Sequence, residues 1–375
     1  MMAARGYGLR RLCWTTAIVT FLLLSFTIIH TRLRNPDIME DTSRSLTTPR
    51  PVFFATATES TKPWIDFYFQ RLQNPSVLPS TSRYSLFGAL EWRLPEDLSW
   101  YSALGEDLCI IDLDDRAFNV SGQIFGPHVM SWQNAASVHG LSLGILNHWL
   151  YSKIHGYKYY YVAVNSFEDR RTSWKKPTII SKILAKHRTC IYLDSDALFR
   201  NLDLPFEWLM NYWQISPASN SLALAFDPTH EWNQDEFGKE YLNTGFLVAQ
   251  NNTRTFEILD AWEDCPNDGG RYPECTKFRT NEPGRPTDQG GFGRYVRYDY
   301  ADDIKELPCD EANGFPEAHA GCDGTFIRHL WTGKDGFLKI LAGGQMPGPY
   351  LEYFHREYTA TMAEFHKRET ELMRE

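Results

Sequence analysis

CIYLDSDALF, running from Cys190 to Phe199, begins as an apolar run and turns at once into Asp194-Ser195-Asp196. An apolar, β-branched run bounded in this way reads as a short buried strand over 190–193, with two carboxylates at its carboxyl end. Working back from it, LCIIDL at 108–113 reads as a second buried strand. Residues 134–154 read as a long helix stopped at His155-Gly156, YKYYYVAV at 157–164 as a strand, and 177–187 as an amphipathic helix opened by Pro177. Working forward, 222–226 and 242–249 read as strands and 255–262 as a helix, and no internal repeat interrupts the pattern. The β-α-β-α-β order predicts an α/β domain with a mainly parallel central sheet covered by helices. Ligands of such sheets bind at the carboxyl ends of the strands, where Asp194 and Asp196 fall.

Two carboxylates one residue apart suit a hard divalent cation such as Mn²⁺ or Mg²⁺, with positions left open for phosphate oxygens. Asp112-Leu-Asp114 is a rival pair, also after an apolar run. Its setting, IIDLDD, superficially resembles the nucleophile motif of haloacid-dehalogenase-type phosphatases, which makes a metal-dependent phosphatase using Asp112 and Asp114 the alternative class. Asp115 and Arg116 stand where that motif calls for a Gly-like turn and a Thr or Val. The preferred expectation for Asp112 to Asp115 is a solvated turn.

From about residue 130 to 340 the chain resembles glycosyltransferase family 34. The resemblance rests on His155-Gly156-Tyr157, Trp174-Lys175-Lys176-Pro177, YLDSDALF at 192–199, Leu242-Asn243-Thr244-Gly245, Asp288-Gln289, and His329 with Gly333-Lys334, in the family's order. It implies a nucleotide-sugar-binding fold of the type called GT-A and transfer of a hexose or pentose, galactose first, from a UDP- or GDP-sugar to a glycan with retention. It further implies metal ligation by Asp194, Asp196 and His329, and donor binding by Lys176, Asp194, Ser195, Asn243, Gly245 and Lys334. Asp288 and Gln289 are then expected at the anomeric carbon. The residues leave open whether a nucleophile or a neutral amide acts there; the resemblance favours Gln289 as stabiliser, with Asp288 on sugar hydroxyls. Trp232 and Trp331 are candidates to stack on acceptor sugars, since aromatic faces suit the C–H faces of pyranoses. A non-catalytic glycan-binding protein is the remaining alternative.

The 375 residues, 43% apolar and 14% aromatic, give material for a substantial core, and a net charge of −9 argues against a nucleic-acid partner. Residues 12–29 carry no charge and at helical rise span about 27 Å, which predicts a signal anchor. The expected organisation is a cytoplasmic tail (1–11), a transmembrane anchor (12–29), a Ser/Thr/Pro-rich stem (30–63) and a luminal domain (64–375). That is a single-pass type II protein of the Golgi membrane, alone or in a homo- or hetero-oligomer. The sequons Asn119-Val-Ser121 and Asn251-Asn-Thr253 agree with a luminal domain. Of the seven cysteines, Cys265 with Cys275 and Cys309 with Cys322 flank loops and are expected as local disulfides, whereas Cys109 and Cys190, in apolar strands, are expected as buried free thiols.

Overall fold

The structure is a computed structural model that describes residues 77–86, 90–280, 287–314 and 321–375. The expected tail, anchor and stem lie outside the described residues, and among these no helix is long and apolar enough to cross a membrane.

Strands β1 (Arg83–Leu86) and β2 (Leu90–Arg93) form a small antiparallel ladder. The central sheet then begins with β3 (Leu108–Asp114), followed by helix α1 (Gly140–His155), β4 (Lys158–Ala163), α2 (Lys176–Leu184) and β5 (Thr189–Leu193). Beyond the Asp194–Asp196 turn come β6 (Ala197–Phe199), α3 (Phe206–Tyr212), β7 (Leu222–Phe226), β8 (Leu242–Gln250), α4 (Thr253–Asp264) and α5 (Thr287–Gly291). The chain ends through β9 (Ile304–Leu307), β10 (Ile327–His329), α6 (Lys334–Gln345), α7 (Tyr350–Thr361) and β11 (His366–Arg368).

Seven strands make one sheet in the order β11-β4-β3-β5-β8-β7-β9. The β11/β4, β4/β3, β3/β5 and β7/β9 pairs are parallel, while β8 runs antiparallel to both its neighbours. The sheet is therefore mixed, with a parallel core.

Alternation along the strands gives each face its own core. Leu108 and Ile110 of β3 and Ile191 and Leu193 of β5 pack with Leu146, Trp149 and Leu150 of α1. Cys109, Ile111, Cys190 and Tyr192 point the other way, onto Ile179, Ile180 and Ile183 of α2 and Ile258, Leu259 and Trp262 of α4. Each such buried aliphatic side chain contributes about 1.5–3 kcal/mol of transfer free energy.

Two expectations are corrected by this packing. Cys109 and Cys190 are not free thiols. They lie directly opposite one another on the parallel pair β3/β5 and form a disulfide, alongside the expected Cys265–Cys275 and Cys309–Cys322 bonds. Helix α1 starts at Gly140 rather than 134, because Trp132–Asn134 forms a separate 3-10 turn in which the Ser131 side chain accepts from the Gln133 N–H.

Candidate active site

The Asp194–Asp196 turn is held from three sides. Asp194 donates its N–H to the Gly245 carbonyl of β8 at 2.7 Å, and the Ala197 N–H closes the turn on the Asp194 carbonyl at 2.8 Å. Next, β6 pairs antiparallel with β10, which sets Ala197 opposite His329. Finally, α1 lies against the turn so closely that a Cβ on Gly144 would stand 2.0 Å from the Ser195 carbonyl oxygen; only glycine allows that approach.

This arrangement brings Asp194, Asp196 and His329 together, with one ligand atom from each within 4.8 Å of the others. His329 Nε2 lies 3.1 Å from Asp196 Oδ1 and 4.0 Å from Asp194 Oδ2. Two carboxylates and an imidazole are a donor set that fits a divalent cation such as Mn²⁺ or Mg²⁺. Lys334, at the start of α6, sets its ammonium 2.5 Å from Asp196 Oδ2 while remaining 43% exposed. Burial raises the Asp196 carboxyl, but His329 and Lys334 outweigh it and hold the group well below the usual carboxylate range.

On the other side of Asp194 stands Lys176, the first residue of α2, only 4% exposed rather than solvated. Its Nζ meets Asp194 Oδ1 at 3.2 Å and Asp288 Oδ2 at 3.1 Å, and donates to the Thr244 carbonyl at 3.1 Å. Burial pulls this lysine down, yet the two carboxylates more than compensate and its net shift is upward. Asp288 is 2% exposed and also accepts from the Thr244 hydroxyl at 2.9 Å. Burial raises its carboxyl, but Lys176 and the hydroxyls of Ser173 and Thr244 outweigh it, for a net downward shift. Tyr192 completes the network by donating to Asp194 Oδ1 at 2.6 Å.

Asn243 and Gln289 meet over a residue that the sequence reading missed. Asp227, immediately after β7, accepts from Asn243 Nδ2 at 2.8 Å and from Gln289 Nε2 at 2.6 Å. Burial pushes its carboxyl up against the opposing effect of these amides. The available signal was the one that marked Asp194, a carboxylate at the end of an apolar strand. Gly245 gives its N–H to Asn243 Oδ1 at 2.7 Å and faces His329.

Asp112 and Asp114 do not form a solvated turn. Both belong to β3 and are 2% and 6% exposed. Asp112 accepts from Tyr159 and pairs through Oδ1 with His148 Nδ1 at 2.8 Å, while His148 Nε2 donates to the Ala197 carbonyl at 2.9 Å. Asp114 is held by Arg116, whose Nη2 also donates to Ser195 Oγ at 2.9 Å. The rival pair thus braces the Asp194–Asp196 turn, with its carboxylates occupied by protein partners. His148 and Arg116 carried no sequence signal, because their roles exist only once α1 and the loop after β3 are packed.

The candidate acceptor residues differ in setting. Trp232, 65% exposed on the loop between β7 and β8, stacks on His230 with ring centroids 3.6 Å apart. Trp331 is partly buried, edge-on to the His329 ring at 5.2 Å.

Residues 131–283 match the sequence model of the galactosyl transferase GMA12/MNN10 family. Xyloglucan 6-xylosyltransferase 1 of Arabidopsis thaliana is 28% identical over 158 residues, 40% of this chain. The match spans 32% of that relative's length. Among solved structures, a glycosyltransferase involved in glycosylation of the major capsid of PBCV-1 aligns with 63% of this chain and 98% of its own at 14% identity and a TM-score of 0.44. Mouse xyloside xylosyltransferase 1 aligns with 60% of this chain and 98% of its own at 9% identity and a TM-score of 0.35. The family match ends before Asp288, Gln289, His329 and Lys334, which the fold itself brings to the matched Asp194–Asp196 turn. Over residues 131–283 this chain is therefore similar to the galactosyl transferase GMA12/MNN10 family, and with the curated relative this match supports a glycosyltransferase of family 34.

Proposed function

We propose that the chain is a retaining, metal-dependent glycosyltransferase of the GT-A type that moves a hexose or pentose, galactose first, from a UDP- or GDP-sugar to a glycan acceptor. The observation that carries this reading is the convergence of Asp194, Asp196 and His329 within 4.8 Å, flanked by the ammonium groups of Lys176 and Lys334. A bound divalent cation would neutralise charge that accumulates on the departing diphosphate. Asp194, Asp196 and His329 would hold it. Lys334, exposed enough to leave Asp196, turns its charge to the diphosphate as the donor enters. Lys176 stays buried and fixes Asp194 and Asp288 relative to each other. Gln289 offers a neutral amide to the anomeric carbon, where positive charge develops as the leaving group departs. Trp232 on the rim gives the acceptor an apolar face.

Three disulfides among the described residues support an oxidising compartment, as a Golgi-luminal domain on an N-terminal anchor requires. Of the two sequons, Asn119 is exposed, whereas Asn251 gives its Nδ2 to the Leu184 and His187 carbonyls at 2.9 and 2.7 Å, so Asn119 is the better acceptor for a glycan.

The test is nucleotide release from a panel of UDP- and GDP-sugars by the full chain in detergent, with and without Mn²⁺, beside Asp196→Ala. Release from one donor that vanishes without metal and in the variant is the expected result. Turnover that is indifferent to both would refute the metal-dependent reading.

A further inference from the structure

Asp194, Asp196 and Asp288 each face a lysine ammonium, but Asp227 is satisfied differently. Among the described residues the hydrogen-bond partners of its carboxylate are side-chain amides from separate segments: Asn243 of β8 at 2.8 Å, Gln289 of α5 at 2.6 Å, and Asn313 at 3.4 Å. An ionised carboxylate only accepts, so each amide must turn its NH₂ group towards Asp227. For Asn243 the orientation is fixed twice, because its oxygen accepts from the Gly245 N–H. For Gln289 the bond from Nε2 to Asp227 Oδ2 sets the orientation, and it leaves Oε1 turned away from the carboxylate.

We infer that Asp227 is a positioning residue, whose carboxylate holds the Gln289 amide so that its oxygen, and not its NH₂, faces the reacting sugar. The chemistry asks for that choice. An oxygen lone pair stabilises the positive charge that grows at the anomeric carbon, whereas an N–H pointed there opposes it. An unrestrained amide takes either orientation, since its two ends are nearly equal in shape. Asp227 at 7% exposure, Asn243 at 6% and Gln289 at 4% are all buried, so water cannot readily replace the constraint.

The inference rests on the glycosyltransferase reading, and the experiment separates the two. Donor turnover by the full chain is compared for wild type, Asp227→Asn, and Asp227→Asn combined with Gln289→Glu, together with donor KM, Mn²⁺ affinity and thermal midpoint. An Asn at 227 presents an NH₂ group that invites the Gln289 oxygen towards itself and reverses the amide. We expect kcat to fall about 100-fold, the scale seen when one preorganised electrostatic partner is lost, with KM and Mn²⁺ affinity nearly unchanged. In the double variant the Asn NH₂ engages one oxygen of the new carboxylate and leaves the other facing the sugar. Turnover should then recover about tenfold over the single variant, within the coupling expected of touching residues. Asp227→Ala with added formate, which can refill the vacated carboxylate position, is the second variant, and formate should raise its turnover.

Unchanged kcat in Asp227→Asn, or a loss that follows the thermal midpoint and is rescued neither by Gln289→Glu nor by formate, would overturn the positioning role. Wild-type protein silent towards every nucleotide sugar would sink the functional reading and this inference together. An active wild type with unrescued variants would sink this inference alone.

Discussion

Gly245→Ala should disable the proposed metal site through His329 without replacing any of its ligands. A Cβ at this position would lie 2.1 Å from His329 Cε1, 2.7 Å from Nε2 and 2.8 Å from Nδ1, whereas ordinary contact begins near 3.4 Å. The ring must therefore withdraw by about 1.3 Å, the difference between 3.4 and 2.1 Å. It has little room to do so, since His329 is 4% exposed, gives its N–H to the Asn313 carbonyl at 2.6 Å and sits opposite Ala197 in the β6/β10 ladder. Metal–ligand distances tolerate deviations of only about 0.2 Å, so the displaced imidazole is lost as a ligand. Disturbing even a supporting partner of a ligand costs roughly 10–100-fold in affinity, and Mn²⁺ binding, followed by calorimetry or electron spin resonance, should weaken by at least that much. Overpacking should also cost about 1–3 kcal/mol of stability. In a His329→Ala background the new methyl has no ring to strike, so the stability penalty should largely vanish. Wild-type Mn²⁺ affinity in Gly245→Ala, or an undiminished stability cost in the His329→Ala background, would refute the reasoning.

Lys176→Met should lower stability by about 3–5 kcal/mol, because it strands Asp194 and Asp288 without their shared ammonium; an unchanged thermal midpoint would count against the network. Replacing Cys109 and Cys190 by Ala and Val should cost about 2–4 kcal/mol, since their bond closes a separation of 81 residues, and non-reducing peptide mapping of the wild type should recover that cross-link. Burial pushes His155 down to about 4, and its Nε2 bonds the Leu202 carbonyl at 2.9 Å. The unfolded chain takes up this proton below about 6.5 and the folded chain only near the lower value, so stability is complete above 6.5 and declines as pH falls through that window, by at most about 3 kcal/mol. His155→Phe should flatten this part of the pH–stability curve, and parallel curves for the two proteins would show that the group contributes nothing.

The elements around Asp194 were legible because each carried a local signal. Cys190–Leu193 was apolar and followed by acids, and Pro177 and Gly156 marked helix ends, so the strands and helices of the first half, the start of α1 excepted, fall within a few residues of expectation. What could not be read was register. Nothing in the sequence places Cys109 opposite Cys190, and without that placement a buried thiol is the natural reading. Asp112 to Asp115 looked solvated because clustered carboxylates usually are; the burial of Asp112 and Asp114 depends on His148, Tyr159 and Arg116, supplied by α1, β4 and the loop beyond β3, while Asp115 stays exposed. Of the candidate ligands, Asp194 and Asp196 followed from a strand end, but His329 reaches them only through the short β6/β10 ladder. Asp227 was a lone carboxylate until Asn243 and Gln289 stood beside it.

The antiparallel course of β8 explains why these groups meet. In a wholly parallel sheet the start of β8 would lie at the far edge from the carboxyl ends of β5 and β7. Running the other way, β8 brings Leu242 opposite Phe226 of β7 and Phe246 opposite Leu193 of β5. Alternation then divides the site: Asn243 and Gly245 serve Asp227 and His329, while the Thr244 hydroxyl between them serves Asp288. The register between β7 and β8 breaks here, Ala225 pairing with Asn243 and Leu224 with Leu247. Residues 244–246 are thus released from the β7 ladder, which leaves the Thr244 carbonyl for Lys176, while the Gly245 carbonyl, on the β5 side, takes the Asp194 N–H as the next rung of the β5/β8 ladder. A strand in regular register with β7 would spend the Thr244 carbonyl on the sheet, so the irregularity is what lets Lys176 tie the Asp194–Asp196 turn, proposed to hold the metal, to Asp288 and β8.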